Sequence, residues 1–166
     1  GEAGILTGPR DPNLARQSPR DYLQGIEAGV HGALEATRRD DAAFDPQAIV
    51  GIGVDTTGST PMPVDRDGTP LAMRPEFDGN LNAMAWLWKD HTSHAEAARI
   101  TALAEQQRPQ YLAKCGGTYS SEWFWSKVLH CKQAAPEVFA AAHSFVEYCD
   151  WIPAVLAGNT RPEDIV

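Results

Sequence analysis

The chain has 166 residues and a formal net charge of −8, with 43% apolar and 22% charged residues. This composition is typical of one globular domain, or of part of a larger one, and it excludes a largely disordered chain. The acidic balance repels phosphate groups, and Arg38-Arg39 is the strongest basic cluster, so binding to nucleic acid or to an anionic membrane surface is not expected.

The first strong element is a helix from Pro19 to about Arg38. Ser18 is suited to cap it, proline suits the first helical turn, and Asp21 complements the positive end of the helix dipole. Five apolar residues recur at helical spacing and predict one buried face: Tyr22, Leu23, Ile26, Val30 and Leu34.

The segment 48–54, with the sequence AIVGIGV, predicts a buried strand that runs parallel to a neighbour. The segments 61–64 and 69–73 then flank the sequence DRDG. Asp65 and Gly68 suit a tight turn, so these segments predict a β-hairpin.

The rest of the chain alternates helical and extended patterns, and Pro109 and Gly158 mark helix ends. The predicted elements are a helix over 92–107, a long helix opening at Ser121-Glu122, a short helix from Pro136, a strand over 143–149 and a helix capped by Asp150. In the helix over 92–107, Glu96 is expected to face solvent. In the helix after Ser121, the predicted buried face comprises Trp123, Phe124, Val128 and Leu129.

Three separated cysteines, Cys115, Cys131 and Cys149, form no CxxC pair. This spacing favours a reducing compartment and thiols that serve as packing residues. The chain shows neither a signal peptide nor an apolar run of about 20 residues, so the cytoplasm is the expected location.

The first candidate site is the sequence DTTGST, residues 55–60, at the carboxyl end of the predicted strand. Ligands bind at this edge of open α/β sheets, and a carboxylate, hydroxyls and backbone N–H groups near Gly58 suit sugar hydroxyls or phosphate oxygens. The alternative is a turn whose side chains bond only their own backbone. A phosphohydrolase with Asp55 as nucleophile would need a second acidic residue where the chain has Thr57.

The second candidate site is the sequence WKDHTSH, residues 88–94, where an apolar segment gives way to a loop. Asp90, His91 and His94 suggest a metal site, but a zinc site needs further ligands in fixed geometry, so a loop with solvated charges is favoured. Among the aromatic residues, Trp88 is the one expected to act in binding, as a stacking surface for a sugar.

Long segments of the chain resemble the FGGY family of carbohydrate kinases. The resemblance rests on LARQSPRDYL, AIVGIGVDTTGSTPMPVDRDGTPLAMRPEF, NAMAWLWKDHT, GGTYSSEWFWSKVLH and SFVEYCDWIPAVLAG. It implies an α/β fold that is part of a ribonuclease-H-like domain of the actin and hexokinase type, with a β-hairpin and flanking helices.

The resemblance also implies an activity for a full-length parent. This activity would be ATP- and Mg²⁺-dependent phosphorylation of a ketopentose, with L-ribulose giving L-ribulose 5-phosphate in arabinose catabolism. Residues 1–166 would be part of the first, sugar-binding domain, with its N-terminal strands and the ATP-binding second domain absent. The segment alone would bind no cofactor or metal, and a homo-oligomer is left open.

The site residues implied by the resemblance line a sugar cleft. They are Asp55, Thr57, Gly58, Trp88, Lys89, Asp90 and Tyr119. The catalytic aspartate is expected beyond Val166, so Asp55 and Asp90 are expected to bind hydroxyls and orient loops rather than to abstract a proton.

Two further expectations depend on the chain being a fragment. The alternative function is a stand-alone sugar-binding or regulatory module derived from a kinase half. If neighbouring strands are absent, the segment 48–54 would expose unpaired backbone groups, and self-association or poor solubility would follow.

Overall fold

The computed structural model of the protein describes residues 4–165 and contains two small β-sheets surrounded by helices. The strands are β1 (Ile5–Thr7), β2 (Ala15–Gln17), β3 (Pro61–Val64), β4 (Ala85–Trp86) and β5 (Ser144–Glu147). The α-helices are α1 (Pro19–Asp40), α2 (His94–Gln107), α3 (Pro109–Leu112), α4 (Phe124–Ala134), α5 (Pro136–Ala141) and α6 (Tyr148–Ala157). The fold is therefore mixed α/β, as the sequence indicates.

Both sheets are antiparallel. In the first, β2 lies between β1 and β4, with Arg16 opposite Leu6 on one side and Trp86 on the other. In the second, β3 pairs with β5, with Met62 opposite Val146. These pairings bring together segments that lie far apart in the sequence, and they fix the loops that follow β4 and precede β3.

The predicted first helix is confirmed as α1. Ser18 occupies the N-cap position, but its side chain makes no capping hydrogen bond. Tyr22 is buried and stacks on Tyr148 with ring centres 4.0 Å apart, whereas Val30 is 50% exposed. Of the predicted apolar face, Tyr22 is therefore the one buried residue, and Leu23, Ile26 and Leu34 are half-buried.

The predicted buried strand over 48–54 does not form. A short 3-10 helix, Pro46–Ala48, is followed by an irregular exposed run in which Val50 is fully exposed and Ile52 is 71% exposed. Within residues 4–165, no strand pairs with this run. Without a partner for its N–H and C=O groups, an apolar β-branched segment gains nothing from strand geometry.

The hairpin prediction is half confirmed. Asp65 accepts the N–H groups of Asp67 and Thr69 at 2.9 and 3.0 Å, and Gly68 has φ of +77°, as the predicted turn requires. The prediction of a second strand over 69–73 is wrong, because the chain makes one β-bridge at Pro70 and then enters a 3-10 helix, Leu71–Met73. A proline cannot donate to a ladder, and β5 takes the place of the second strand beside β3.

The remaining helices and β5 form where they are predicted, with shifted starts. Helix α2 begins at His94, α4 at Phe124 and α6 at Tyr148, so Asp150 lies in the first turn of α6 rather than at its cap. Gly158 ends α6 in the left-handed conformation, with φ of +71°, as expected.

Two expectations about helix faces are wrong. Glu96 is buried instead of solvated, with a carboxylate oxygen 3.0 Å from Nδ1 of His130 on α4. The buried residues of α4 are Ser126, Lys127 and Cys131, whereas the predicted face is half-buried. The fully buried lysine bears directly on the candidate site.

The three thiols are free, with Cys131 fully buried and Cys115 and Cys149 half-buried, as predicted for packing residues. No helix in the described part of the chain is both long and apolar enough to cross a membrane.

Candidate functional site

Residues 55–60 form a loop that leads from the exposed run into β3. Its last residue, Thr60, is fully buried, and its N–H donates to a carboxylate oxygen of Glu147 at 2.7 Å. The N–H of Tyr148 donates to the carbonyl oxygen of Thr60 at 3.1 Å. The junction of β5 and α6 therefore anchors the C-terminal end of this loop.

The second loop follows β4 and contains Trp88, Lys89 and Asp90. The N–H of Leu87 donates to the carbonyl oxygen of Ala15 at 3.1 Å, and the N–H of Asp90 donates to the carbonyl oxygen of Leu87 at 2.8 Å. The loop is thus an extension of the first sheet, closed by a tight turn.

Asp90 stabilises this turn from inside the protein. Its side chain is fully buried, pairs with the buried guanidinium of Arg16 and accepts the N–H of Ala15 at 2.7 Å. Its other carboxylate oxygen accepts the hydroxyl and the N–H of Thr92 at 2.5 and 3.1 Å. The expected loop-orienting role matches this geometry, whereas a direct contact from Asp90 to a sugar hydroxyl does not.

Lys127 connects the two loops. Its ammonium group donates to the carbonyl oxygen of Ser59 at 2.6 Å and to that of Leu87 at 2.7 Å, with that of Trp86 at 3.5 Å. Burial lowers the pKa of Lys127 to about 7, although the nearby Glu147 carboxylate acts in the opposite direction. The same burial raises the pKa of Glu147.

A cleft of about 430 Å³ opens between the two loops, a volume within the range of small-molecule sites. We call it the Thr57–Trp88 cleft. Its lining is Ile5, Gln17, Tyr22, Thr56, Thr57, Leu87, Trp88 and Tyr148. The indole of Trp88 is 49% exposed, so one aromatic surface stands beside hydroxyl and amide groups. This combination suits a ligand that has both polar and apolar faces, as a sugar does.

The other predicted site residues do not line this cleft. Asp55 is exposed and lines a separate groove of about 330 Å³, together with Val30 on α1 and Leu156 on α6. Gly58 is exposed and Lys89 half-buried, both next to lining residues. Thr56, which belongs to the predicted 55–60 site, lines both the groove and the cleft.

Tyr119 belongs to an aromatic cluster at the start of α4. Its hydroxyl accepts the N–H of Trp125 at 3.2 Å, and its ring packs edge-on against Trp123 with centres 4.9 Å apart. The structure therefore brings Thr57 and Trp88 together but places Tyr119 among neighbours outside the cleft lining.

The histidines near Asp90 are engaged in local contacts. Nδ1 of His91 lies 3.0 Å from the hydroxyl oxygen of Ser121, and Nδ1 of His94 lies 3.3 Å from the carbonyl oxygen of His91. Within residues 4–165, no group of three or more His, Cys, Asp or Glu side chains is arranged to hold a metal ion.

Three residues that hold the site together were not predicted from the sequence, namely Arg16, Lys127 and Glu147. For Lys127 a signal was present, because it lies four residues from both Trp123 and Cys131 and so shares one helix face with them. A lysine on an apolar face needs a polar partner inside the protein. Nothing in the sequence indicates that its partners would be carbonyl groups of the two candidate loops.

Comparison with known proteins gave related sugar kinases, although no family model matches the chain. Over 151 residues, the chain is 46% identical to a ribulokinase of Vibrio parahaemolyticus, covering 90% of this chain and 26% of that relative. Over 153 residues, it is 37% identical to a ribulokinase of Bacillus licheniformis, covering 92% of this chain and 26% of that relative. The chain therefore spans about a quarter of the length of these relatives.

Among solved structures, the chain is similar to a xyloylose kinase from Brucella ovis, with a TM-score of 0.64 and 20% sequence identity. The match covers 90% of this chain and 27% of that structure. At this identity the likeness concerns the fold alone, and it indicates that the arrangement of elements described above occurs within a larger kinase.

Proposed function

This chain belongs to the FGGY family of carbohydrate kinases, and we propose that it forms the sugar-binding wall of an ATP-dependent kinase that converts L-ribulose to L-ribulose 5-phosphate. The observation that carries this proposal is the Thr57–Trp88 cleft, which joins a hydroxyl-bearing loop and an exposed indole at the position where the sequence motifs of the family lie. A location in the cytoplasm is part of the same proposal.

Within this wall, each group has a chemical role. The hydroxyl groups of Thr56 and Thr57 can exchange hydrogen bonds with sugar hydroxyls, and the indole of Trp88 can cover an apolar face of the sugar. The exposed backbone at Gly58 lets a ligand approach closely. Asp55, Lys89 and Tyr119 remain proposed substrate residues, with Lys89 next to the cleft and Asp55 in the neighbouring groove.

ATP and Mg²⁺ belong to the proposal for the complete protein. We propose that both bind outside residues 4–165; for Mg²⁺ this agrees with the described residues, among which no group of three or more His, Cys, Asp or Glu side chains is arranged to hold a metal ion. The catalytic base is likewise proposed to lie outside these residues. Asp90 is not proposed for that role, because its buried carboxylate pairs with Arg16.

The proposal is tested by measuring ADP release with L-ribulose, D-xylulose and ribitol. The full-length product of the gene that encodes this chain should phosphorylate L-ribulose, whereas the 166-residue chain should show no turnover. Turnover by the 166-residue chain would contradict the claim that essential groups lie outside it. Calorimetric binding of ribulose to the isolated chain at millimolar or tighter affinity would instead support a stand-alone sugar-binding module.

The aromatic wall gives a specific prediction. In the full-length protein, Trp88→Ala should raise the KM for L-ribulose by about three- to tenfold, because a sugar loses one stacking surface. Trp125→Ala is the matched control, since Trp125 is 64% exposed but does not line the cleft. Equal KM values for the two variants would contradict the proposal that the Thr57–Trp88 cleft binds the sugar.

We further propose that the fold is part of a ribonuclease-H-like layer in which residues 49–54 become a strand once a neighbour pairs with them. The exposed side chains of Val50 and Ile52 support this proposal, because a β-branched run without a cover is rare on a stable surface.

The same run predicts self-association of the 166-residue chain. An uncovered apolar segment with free backbone groups offers a template for pairing with a second copy. Ile52→Lys should lower the apparent mass measured by light scattering, whereas Gln47→Lys adds the same charge beside the run and should leave it unchanged. A wild-type chain that stays monomeric at high concentration would count against this expectation.

A further inference from the structure

We propose that Lys127 is a positioning residue that fastens the loop of residues 55–60 to the loop after β4 and thereby sets the affinity of the Thr57–Trp88 cleft for its sugar. The second half of this inference rests on the proposed function. The first half concerns only the protein itself and can be tested without substrate.

The geometry places one side chain between two loops that no strand pairing joins within the described part of the chain. Lys127 donates to the carbonyl oxygen of Ser59 at 2.6 Å and to that of Leu87 at 2.7 Å. Leu87 lines the cleft and precedes Trp88, while Ser59 follows Gly58 and lies two residues after Thr57. One nitrogen atom therefore connects the backbones of the two walls of the cleft.

The backbone at Ser59 indicates that this contact holds the loop in a specific shape. Ser59 has φ of +55°, and it is the only described residue other than glycine with a positive φ. Such a conformation is unfavourable for a residue with a Cβ and persists only where surrounding contacts enforce it. The carbonyl group of Ser59 bonds Lys127, and the next N–H, that of Thr60, bonds Glu147.

Lys127 does not itself reach the cleft. Its side chain is 1% exposed and it is not among the lining residues, so it cannot contact a sugar directly. Both protonation states can bridge the loops, because an ammonium group has three N–H donors and a neutral amine retains two. Lys127 acts through the loops rather than as a catalytic residue.

The test replaces Lys127 with methionine, which keeps most of the length of the side chain and removes the donors. Lys132→Met is the matched control, because Lys132 is an exposed lysine on the same helix. In the 166-residue chain, Lys127→Met should accelerate amide hydrogen exchange in residues 55–60 and 86–90 by about tenfold or more, whereas the control should not. Unchanged exchange in either loop overturns the inference.

The second arm measures kinetics in the full-length protein. Lys127→Met should raise the KM for L-ribulose by about tenfold and change kcat by less than about twofold, since ground-state binding is weakened while the reacting groups are untouched. Lys127→Arg retains N–H donors and should recover part of the affinity. Faster exchange without a change in KM overturns the link between the loops and affinity.

Two outcomes separate this inference from the proposed function. If the wild-type protein does not phosphorylate L-ribulose, the proposed function fails and amide exchange alone decides whether Lys127 fastens the loops. If Lys127→Met does not fold, Lys127→Gln serves instead, because its shorter amide reaches at most one of the two carbonyl groups. Protection of both loops in that variant would overturn the inference.

Discussion

Replacing Asp90 with asparagine should lower the free energy of unfolding of the 166-residue chain by about 3–5 kcal/mol, the usual cost of removing one partner of a buried ion pair. The guanidinium of Arg16 would remain buried without its counter-charge, and the new amide N–H₂ would face the donors of Ala15 and Arg16. The effect should be measured by urea unfolding, with the exposed Asp78→Asn as control.

A double-mutant cycle would separate the pair from its surroundings. The guanidinium of Arg16 lies 3.5 Å from the ring centre of Trp86, so it also contributes a cation–π contact that Asp90→Asn leaves in place. Arg16→Met combined with Asp90→Asn should destabilise the chain by less than the sum of the single changes. An Asp90→Asn chain that keeps its stability but no longer binds sugar would show that Asp90 is a substrate contact instead.

The second large effect concerns pH. Between pH 6.5 and 8.5, the free energy of unfolding of the wild-type chain should rise by about 2 kcal/mol relative to that of Lys127→Met. Burial lowers the pKa of Lys127 from 10.5 to about 7 in the folded protein. In this pH range the unfolded chain keeps a proton that the folded chain releases, so the unfolded state binds more protons and stability increases with pH.

The charged groups around Lys127 act on its pKa in opposite directions. Glu147 and Glu122 favour the charged lysine, whereas Arg16 disfavours it. Burial also raises the pKa of Cys131 to about 12, so above about pH 8.5 this thiol opposes the rise in stability. The thiol is present in both proteins, so its contribution cancels in their difference. Urea unfolding of both proteins at the two pH values gives the difference directly, and equal changes in both would contradict the assignment.

The buried side chains of Arg16 and Lys127 explain how the two loops that line the cleft keep their shape with little sheet structure around them. Arg16 with Asp90 fixes the turn after β4, and Lys127 ties that turn to the loop before β3. Of the cleft residues, Trp88 presents an exposed indole, and the hydroxyl of Thr57 makes one 3.4 Å contact with the hydroxyl of Thr60. Stability and binding are thus divided between different side chains of the same loops.

Much of the local structure could be predicted because it depends on local patterns. The helix after Ser18, the end of α6 at Gly158 and the turn at Asp65 and Gly68 each follow from residues adjacent in sequence. The strand predicted over 48–54 and the second strand of the hairpin were wrong for the opposite reason. A strand requires a partner, and the pattern of one segment does not show which other segment pairs with it.

The candidate site shows the same division. The sequence identified the two loops, and both Thr57 and Trp88 line one cleft. It did not show that Asp55 lies in a different groove or that Tyr119 bonds the start of α4. It also could not show that Asp90 is buried. An aspartate in a loop is expected to be exposed to solvent unless a buried partner for its charge is known.

By itself, then, the sequence determined the positions of the helices, the turn chemistry and the family to which the chain belongs, because these depend on residue order and on long matching segments. Only the tertiary structure decided which polar side chains are buried and what they bind. Arg16 and Asp90 lie 74 residues apart, and Lys127 lies 68 residues from Ser59. A buried charge is stable only when folding supplies its partner, and that partner is set by the packing of distant segments rather than by the neighbouring sequence.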